Sequence, residues 1–273
     1  MKIAIVYFSA TGNTKAYAEI ISDAMNKLGV QTFLLDITTP KVRETLLNFD
    51  DFEVVLFGFP IYSFRAPRII RDWLSKLSVN QKKCAMFFTY GGASPGVAHI
   101  STKQILESRG FKVIASAEFL GAHSFNCAKG WSILSDRPNN ADFDIARQYA
   151  FQLIEKLSMK DISNLVLDSP TMTTSLLDQI EAYPFIIITQ LPTRNGQECS
   201  MCLTCETLCP SGAFNATLGE TDPTKCILCM RCINSCPDNI LEINELTEAC
   251  LKLKKRQKLT DDVLSQRESK FFM

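Results

Sequence analysis

The sequence lacks several features that would point directly to a function. Its 29 Lys and Arg balance its 29 Asp and Glu, so the overall charge gives no sign of a nucleic-acid partner. It has only two histidines, His99 and His123, and no triad motif, which disfavours a group-transfer enzyme. It also has no G-x-G-x-x-G dinucleotide fingerprint and no apolar run near the roughly 20 residues that cross a membrane.

The first residues, MKIAIVYFSATGNT, lack the long apolar core and cleavage site of a signal peptide, so we expect a cytoplasmic protein. Cysteine, by contrast, is abundant: eight of eleven lie between 199 and 236. In a reducing compartment, clustered cysteines favour metal or redox chemistry over disulfides. Of the other three, Cys84 is expected in the core, and Cys127 and Cys250 receive no role.

One cysteine motif, C-x2-C-x2-C-x3-C-P, occurs twice with an offset of 27 residues. The cysteines of the first copy are Cys199, Cys202, Cys205 and Cys209, and those of the second copy are Cys226, Cys229, Cys232 and Cys236. Such a repeat indicates an internal duplication. A structural zinc site usually has two ligand pairs separated by a loop, which this spacing matches poorly. A disulfide framework is the other alternative.

The spacing resembles that of bacterial two-cluster ferredoxins, which bind two [4Fe–4S] clusters. The resemblance implies crossed ligation, in which the cysteine before each proline serves the other cluster. It implies that cluster A is held by Cys199, Cys202, Cys205 and Cys236, and cluster B by Cys226, Cys229, Cys232 and Cys209. Crossed ligation would also hold together a segment too small to build a core of its own.

The front of the chain alternates apolar strands with helices. We predict strands at 2–9, 30–37, 52–60, 83–90 and 112–121. We predict helices at 14–28, 67–77, 96–109 and 140–158, and a short helical stretch at 41–48. Strands that are apolar throughout indicate a parallel sheet covered on both faces. The predicted class is α/β, a flavodoxin-like doubly wound five-stranded sheet of order 2-1-3-4-5, followed by a small α+β two-cluster ferredoxin domain.

The loop SATGNT follows the first predicted strand and precedes the first helix. Its hydroxyls and backbone amides would form an anion site at a helix N-terminus. The Gly-Lys pair of a Walker loop is absent. The alternative is a simple helix cap by Asn13 or Thr14. The loop resembles the phosphate loop of flavodoxins at Ser9, Thr11, Gly12, Asn13 and Thr14, which implies an FMN cofactor.

In flavodoxins, the loops after strands three and four flank the flavin ring. The resemblance therefore implies ring contacts from Pro60, Ile61, Tyr62, Ser63, Thr89, Tyr90, Gly91 and Gly92. Tyr62 would stack on the ring, or it is a surface aromatic. Arg65 would stabilise a reduced flavin, or it is a surface charge.

The whole chain resembles flavodoxin–ferredoxin fusion proteins of anaerobic bacteria and archaea. We divide it into a flavodoxin-like FMN domain (1–158), a packed linker (159–194), a 2[4Fe–4S] ferredoxin domain (195–245) and a basic C-terminal tail (246–273). The linker contains a possible helix at 173–183 and the apolar run 185–188. The long segment 121–140 departs from the pattern, and would form a substrate lid, a flavin cover or a domain interface; His123 within it is not assigned as a catalyst.

Charge is distributed unevenly along the rear of the chain. Residues 195–245 hold seven acidic and two basic residues, whereas 246–273 hold four acidic and seven basic ones. The basic tail would either recruit an acidic redox partner or fold back onto the acidic region.

The favoured function is that of an electron-transfer oxidoreductase that passes single electrons between two [4Fe–4S] clusters and FMN. The first alternative is a flavin-dependent reductase of a quinone or another small acceptor, fed by the clusters. An alternative of another class is a redox-sensing or scaffold module with structural clusters and no flavin. Redox partner proteins are expected, although the sequence does not identify them, and it leaves open whether the chain is a carrier or an enzyme.

Overall fold

The structure is a computed structural model that describes residues 1–45, 47–168, 172–183 and 189–273. The predicted apolar run 185–188 lies outside the described residues. No helix within these ranges is long and apolar enough to cross a membrane.

The front half alternates strands and helices as the sequence predicts. Its strands are β1 (Lys2–Tyr7), β2 (Gln31–Asp36), β3 (Val54–Pro60), β4 (Lys82–Tyr90) and β5 (Phe111–Leu120). Its helices are α1 (Asn13–Lys27), α2 (Pro40–Glu44), α3 (Arg68–Leu74), α4 (Ala98–Ser108) and α5 (Asn140–Leu157), with a 3-10 turn at Ser124–Cys127.

The five strands pair in parallel in the order β2-β1-β3-β4-β5, which confirms the predicted topology. Both faces of the sheet are covered. Val6 and Phe57 belong to the apolar core on one side, and Ile5 and Leu56 to the core on the other. This two-sided burial explains why the strands are apolar throughout.

The rear half consists of short elements. They are α6 (Thr174–Tyr183), α7 (Thr204–Thr207), β6 (Phe214–Asn215), β7 (Glu220–Thr221), α8 (Arg231–Asn234), α9 (Thr247–Arg256), α10 (Asp261–Ser265) and β8 (Lys270–Phe272). Strands β6 and β7 form a small antiparallel pair.

The last strand, β8, pairs antiparallel with β5 and extends the large sheet to six strands. The buried carboxylate of Glu118 anchors it, because Glu118 Oε1 lies 3.2 Å from Lys270 Nζ, while Glu118 Oε2 lies 3.0 Å from His99 Nε2. The ring of Phe272 also packs against His99. The tail predicted as a separate basic segment thus ends within the flavodoxin sheet, and its Lys252 and Lys254 pair with Glu248 and Asp261 of the tail itself.

Candidate functional site

A cavity of about 1240 Å³ opens where the first, third and fourth strands end. Ligands of doubly wound sheets bind at this edge. Eleven of the thirteen residues predicted to bind flavin line it: Ser9, Thr11, Asn13, Thr14, Pro60, Ile61, Tyr62, Ser63, Thr89, Tyr90 and Gly91. The two others, Gly12 and Gly92, shape the turns behind it, with positive φ angles of 99° and 76°.

The phosphate-type loop meets the start of α1. Gly12 is the N-cap in a left-handed conformation, so neither Asn13 nor Thr14 caps the helix as the simple alternative proposed. The hydroxyl of Ser9 accepts a hydrogen bond from the Lys15 amide at 3.1 Å, and the Thr14 and Thr89 hydroxyls lie 2.7 Å apart. The first amides of a helix lack intrahelical acceptors, so this loop offers donors suited to a phosphate.

The loop after β3 makes a tight reversal beside the cavity. The Tyr62 amide donates to the Arg65 carbonyl at 2.9 Å, and both central residues, Ser63 and Phe64, have left-handed backbones. Left-handed non-glycine residues cost free energy and are concentrated at functional sites. Across the cavity, a Cβ on Gly91 would lie 2.6 Å from the ring of His123, so this position requires glycine. The donor loop, the cavity size and the two flanking turns together fit FMN.

Tyr62 lines the cavity and is partly buried, so it is not a simple surface aromatic. Burial raises the pKa of its phenol well above the ordinary value, negative charge on Cys229 raises that pKa further, and the charge of Arg231 lowers it by less. Tyr62 packs against the apolar cluster that contains Cys229, so it adjoins both the flavin-type cavity and the second cysteine motif.

Arg65 occupies neither of its two predicted environments. Its guanidinium is buried and donates to the carboxylates of Asp178, at 2.6 Å, and Glu181. Arg71 donates to the same Glu181 carboxylate at 2.8 Å. The charge of Arg65 is thus neutralised by α6 and serves to hold the linker helix against the flavodoxin domain.

The segment 121–140 contributes residues that sequence reasoning did not assign to the cavity. Ala122, Ser124 and three aromatic residues line it. The aromatic residues are His123, Phe125 and Trp131, whose ring centroids lie 4.9–5.2 Å apart. Burial lowers the pKa of His123 to about 4, so the ring is neutral at pH 7. In the sequence, only the length of this loop and its aromatic residues indicated that it would contribute to the cavity.

The same segment also forms the interface between the two halves. Phe125 and Trp131 belong to an apolar cluster that includes Cys226 and Leu228 of the second cysteine motif. The indole N–H of Trp131 is buried and has no hydrogen-bond acceptor within the described part of the chain. The segment therefore serves as cavity wall and as interface at once.

The structure separates the eight clustered cysteines into two groups. Cys199, Cys202, Cys205 and Cys236 surround one small cavity. In the other group, the buried Cys209 is close enough to Cys226, Cys229 and Cys232 that its charge raises the pKa of each. Burial is the larger cause, and raises the pKa of Cys226 to about 11 and that of Cys229 to about 12. The crossed ligand sets stay a prediction, and this grouping is the observation that supports them.

All eleven cysteines are free thiols, which disagrees with a disulfide framework. Within the described ranges, no three His, Cys, Asp or Glu residues converge around a point suited to one metal ion. In a cubic [4Fe–4S] cluster each thiolate binds a different iron, so the four ligands need not converge on one atom. The lack of such a point is therefore compatible with a cubic iron–sulfur cofactor. Cys84 is fully buried in the core, as expected.

The second cysteine motif forms part of the wall of the flavin-type cavity. Cys226, Ile227 and Leu228 line it together with the loops after the first, third and fourth strands. Arg231 strengthens the junction, because its guanidinium donates to the Ser9 carbonyl at 2.8 Å.

Two segments of the chain match known protein families. Residues 4–122 match the flavodoxin domain family, and residues 220–242 match the 4Fe-4S binding domain family. A 158-residue stretch is 26% identical to an uncharacterized protein of Methanocaldococcus jannaschii, and covers 57% of this chain and 99% of that protein. Solved structures with a similar fold include an archaeal flavodoxin (20% identical, TM-score 0.44, 58% of this chain and 100% of that one). Another is flavodoxin 1 of Bacillus cereus (18% identical, TM-score 0.43, with the same coverage).

The chain is thus a redox protein that joins a flavodoxin domain to a 4Fe–4S binding domain. The pairing of these two domain types supports a flavodoxin–ferredoxin fusion with an electron-transfer role. The flavodoxin domain implies FMN, and the 4Fe–4S domain implies an iron–sulfur cofactor.

Proposed function

We propose that this protein passes single electrons between two [4Fe–4S] clusters and one FMN. The observation that carries the proposal is the shared wall: Cys226 and its neighbours Ile227 and Leu228 line the cavity that the flavin loops enclose. The second cysteine motif therefore borders that cavity directly.

The residues would divide the work as follows. Ser9, Thr11, Gly12, Asn13 and Thr14 would bind the FMN phosphate, and the loops 60–63 and 89–92 would hold the ring. Cys199, Cys202, Cys205 and Cys236 would hold cluster A, and Cys209, Cys226, Cys229 and Cys232 would hold cluster B. The clusters supply one-electron chemistry and the flavin one- or two-electron chemistry. The protein supplies the ligands, the spacing and a cavity that restricts water.

An anaerobic reductive titration tests the proposal, after iron, sulfide and flavin per chain have been determined. We expect about eight irons and one FMN per chain, with EPR signals from two clusters and electrons that redistribute from clusters to flavin. Eight irons without FMN, even after reconstitution, would refute the flavin part and favour the sensing or scaffold alternative. Four irons would refute the second cluster.

A second candidate function, reduction of a small acceptor such as a quinone, is favoured by the size of the cavity. Ligand cavities measure roughly 300–1,000 Å³, whereas this one has about 1240 Å³. It continues beyond the flavin loops to Gln179 of α6, to Leu253 of α9 and to Gln257, which follows that helix. Steady-state turnover with a soluble quinone tests it. Saturable, flavin-dependent reduction would support this function, and a rate that rises linearly with quinone, with no saturation, would count against it.

A further inference from the structure

The two cysteine motifs have the same backbone conformation. Met201 and Leu203 flank the second cysteine of the first motif with left-handed φ angles of 55° and 59°. Leu228 and Met230 occupy the equivalent positions of the second motif, 27 residues later, with φ angles of 52° and 61°. A four-residue helix follows in each case. The duplication is therefore preserved in three dimensions.

The surroundings of the two motifs differ. Leu228 and Met230 are only 6% and 1% exposed, since they lie in the apolar cluster with Phe125 of the flavodoxin domain. Met201 and Leu203 are 44% and 45% exposed. An apolar pair that is covered in one copy is thus open to solvent in the other, and exposed apolar patches of this kind mark interaction sites.

The covered motif shows how a redox domain docks on such a surface. Besides the apolar contacts, two arginines of the flavodoxin domain donate to backbone carbonyls next to the cysteines of the buried group. Arg68 donates to the Thr224 carbonyl at 3.0 Å, and Arg43 donates to the Pro210 carbonyl. The flavodoxin domain therefore approaches with an apolar surface and positive charge.

The open motif carries the complementary charge. No Lys, Arg or His occurs from 195 to 224. Glu198 and Asp238 are exposed beside the open cysteine group, and the Asp238 carboxylate accepts from the Ser200 amide at 2.9 Å, which holds it next to that motif. One cation is present, because the Arg194 guanidinium lies 3.7 Å from the Met201 sulfur and also donates to the Thr217 carbonyl at 3.0 Å. The carboxylates of Glu198 and Asp238 outnumber it, so the surroundings of the exposed apolar pair carry net negative charge.

We propose that this face, formed by Met201, Leu203, Glu198 and Asp238, is the docking surface for a separate one-electron redox protein with a basic surface. Its Arg or Lys side chains would surround an apolar contact, as the flavodoxin domain does on the second motif. One electron crosses per encounter between the redox centre of the partner and cluster A, and no bond is made or broken. The proposal rests on the proposed function.

Mitochondrial cytochrome c, a basic one-electron acceptor, serves as the probe. The anaerobically reduced protein is mixed with oxidised cytochrome c in a stopped-flow instrument, and haem reduction and cluster oxidation are followed. Binding is measured separately, by fluorescence polarisation with redox-inert zinc cytochrome c. Succinylated cytochrome c, whose surface charge is reversed, is the matched second probe.

Two variants remove the docking features without disturbing the backbone. Glu198→Lys installs the residue type found at the equivalent position of the second motif, Lys225. The double variant Met201→Asn, Leu203→Asn keeps the left-handed backbone, because Asn tolerates it. The matched controls are Asp23→Lys on α1 and Val166→Asn, both at exposed positions of the front half and linker.

At low ionic strength we expect each docking variant to lower the second-order rate and the affinity about threefold or more, and the controls to leave both unchanged. Wild-type protein should reduce succinylated cytochrome c about tenfold more slowly, and salt should remove that difference. Equal behaviour of docking and control variants would overturn the proposal. If a docking variant loses iron, the proposal is tested instead on the wild-type protein, by the difference between its rates of reduction of native and succinylated cytochrome c.

Electron transfer from the clusters to FMN is measured separately, without cytochrome c. Failure of the proposed function can therefore be distinguished from failure of the docking surface. Clusters that stay reduced while bound FMN stays oxidised would refute the proposed function. If the flavin is reduced but the rate of cytochrome c reduction depends neither on the charge of the cytochrome nor on the docking variants, only the docking surface is refuted.

Discussion

The last cysteines of the two motifs provide a sharp test of the crossed ligand sets. Cys209 lies in the first motif but is grouped with Cys226 of the second, whereas Cys236 lines the cavity of the first. We therefore predict that Cys209→Ser disturbs the cluster beside the flavin and that Cys236→Ser disturbs the outer one. The two variants are matched controls for each other, because each removes one thiolate before a proline.

The magnitude of the effect follows from the ligand count and from the shared wall. Each variant should fall from about eight irons per chain to about four, since a cluster with three thiolates is lost more readily. Only Cys209→Ser should also weaken FMN binding, because Cys226, Ile227 and Leu228 line the flavin cavity. Because loss of the cluster would disorder this wall, we expect the FMN dissociation constant to rise about tenfold, which corresponds to about 1.4 kcal/mol of binding free energy.

The assay combines iron and sulfide analysis with FMN titration followed by flavin fluorescence. Each variant is also reduced anaerobically to learn whether electrons still pass from the remaining cluster to the flavin. We expect this transfer in Cys236→Ser and none in Cys209→Ser. The opposite result, in which Cys236→Ser weakens FMN binding and Cys209→Ser does not, would refute crossed ligation and the assignment of cluster B to the flavin side.

Three further predictions concern the cavity wall and the linker helix. Burial lowers the pKa of His123 from 6.5 to about 4, so the unfolded chain binds this proton first as the pH falls. The contribution of neutral His123 to the free energy of unfolding is complete well above pH 6.5, and it should be about 1.3 kcal/mol smaller at pH 5.5 than at pH 7.5. Urea unfolding should show a weaker pH dependence in His123→Phe. Arg65→Met leaves Glu181 with one partner and should cost about 1–3 kcal/mol of stability and accelerate limited proteolysis of the linker, whereas neutralising the exposed Asp178 by Asn should cost less than about 1 kcal/mol. Trp131→Phe keeps the aromatic packing and removes the unpaired N–H, so FMN should bind about threefold to tenfold more weakly with unfolding unchanged; unchanged FMN affinity would show that this N–H does not contact the flavin.

Much of the fold and of the candidate site could be predicted from local sequence. Apolar runs placed the five parallel strands within three residues of their ends, because a strand buried on both faces leaves a continuous apolar signature. The loop SATGNT and the doubled cysteine spacing could likewise be read from local sequence as candidate sites. Their chemistry depends on side-chain types at short, regular intervals along the chain.

Other features depended on contacts between distant segments. The three residues of β8 are too short for a strand signature, and they become a strand only because Glu118 and the edge of β5 receive them. Arg65 looked free in sequence because its partners on α6 lie more than a hundred residues away. Neither the apolar pattern nor the local charge could reveal such pairings.

The chain's own sequence determined that there are two cysteine motifs and which residues they contain. Only the tertiary structure decided that the second motif is buried against the flavin-type cavity while the first remains open to solvent. The reason is physical: the spacing of ligands is a covalent property of the backbone, whereas burial is decided by packing against surfaces that are distant in sequence.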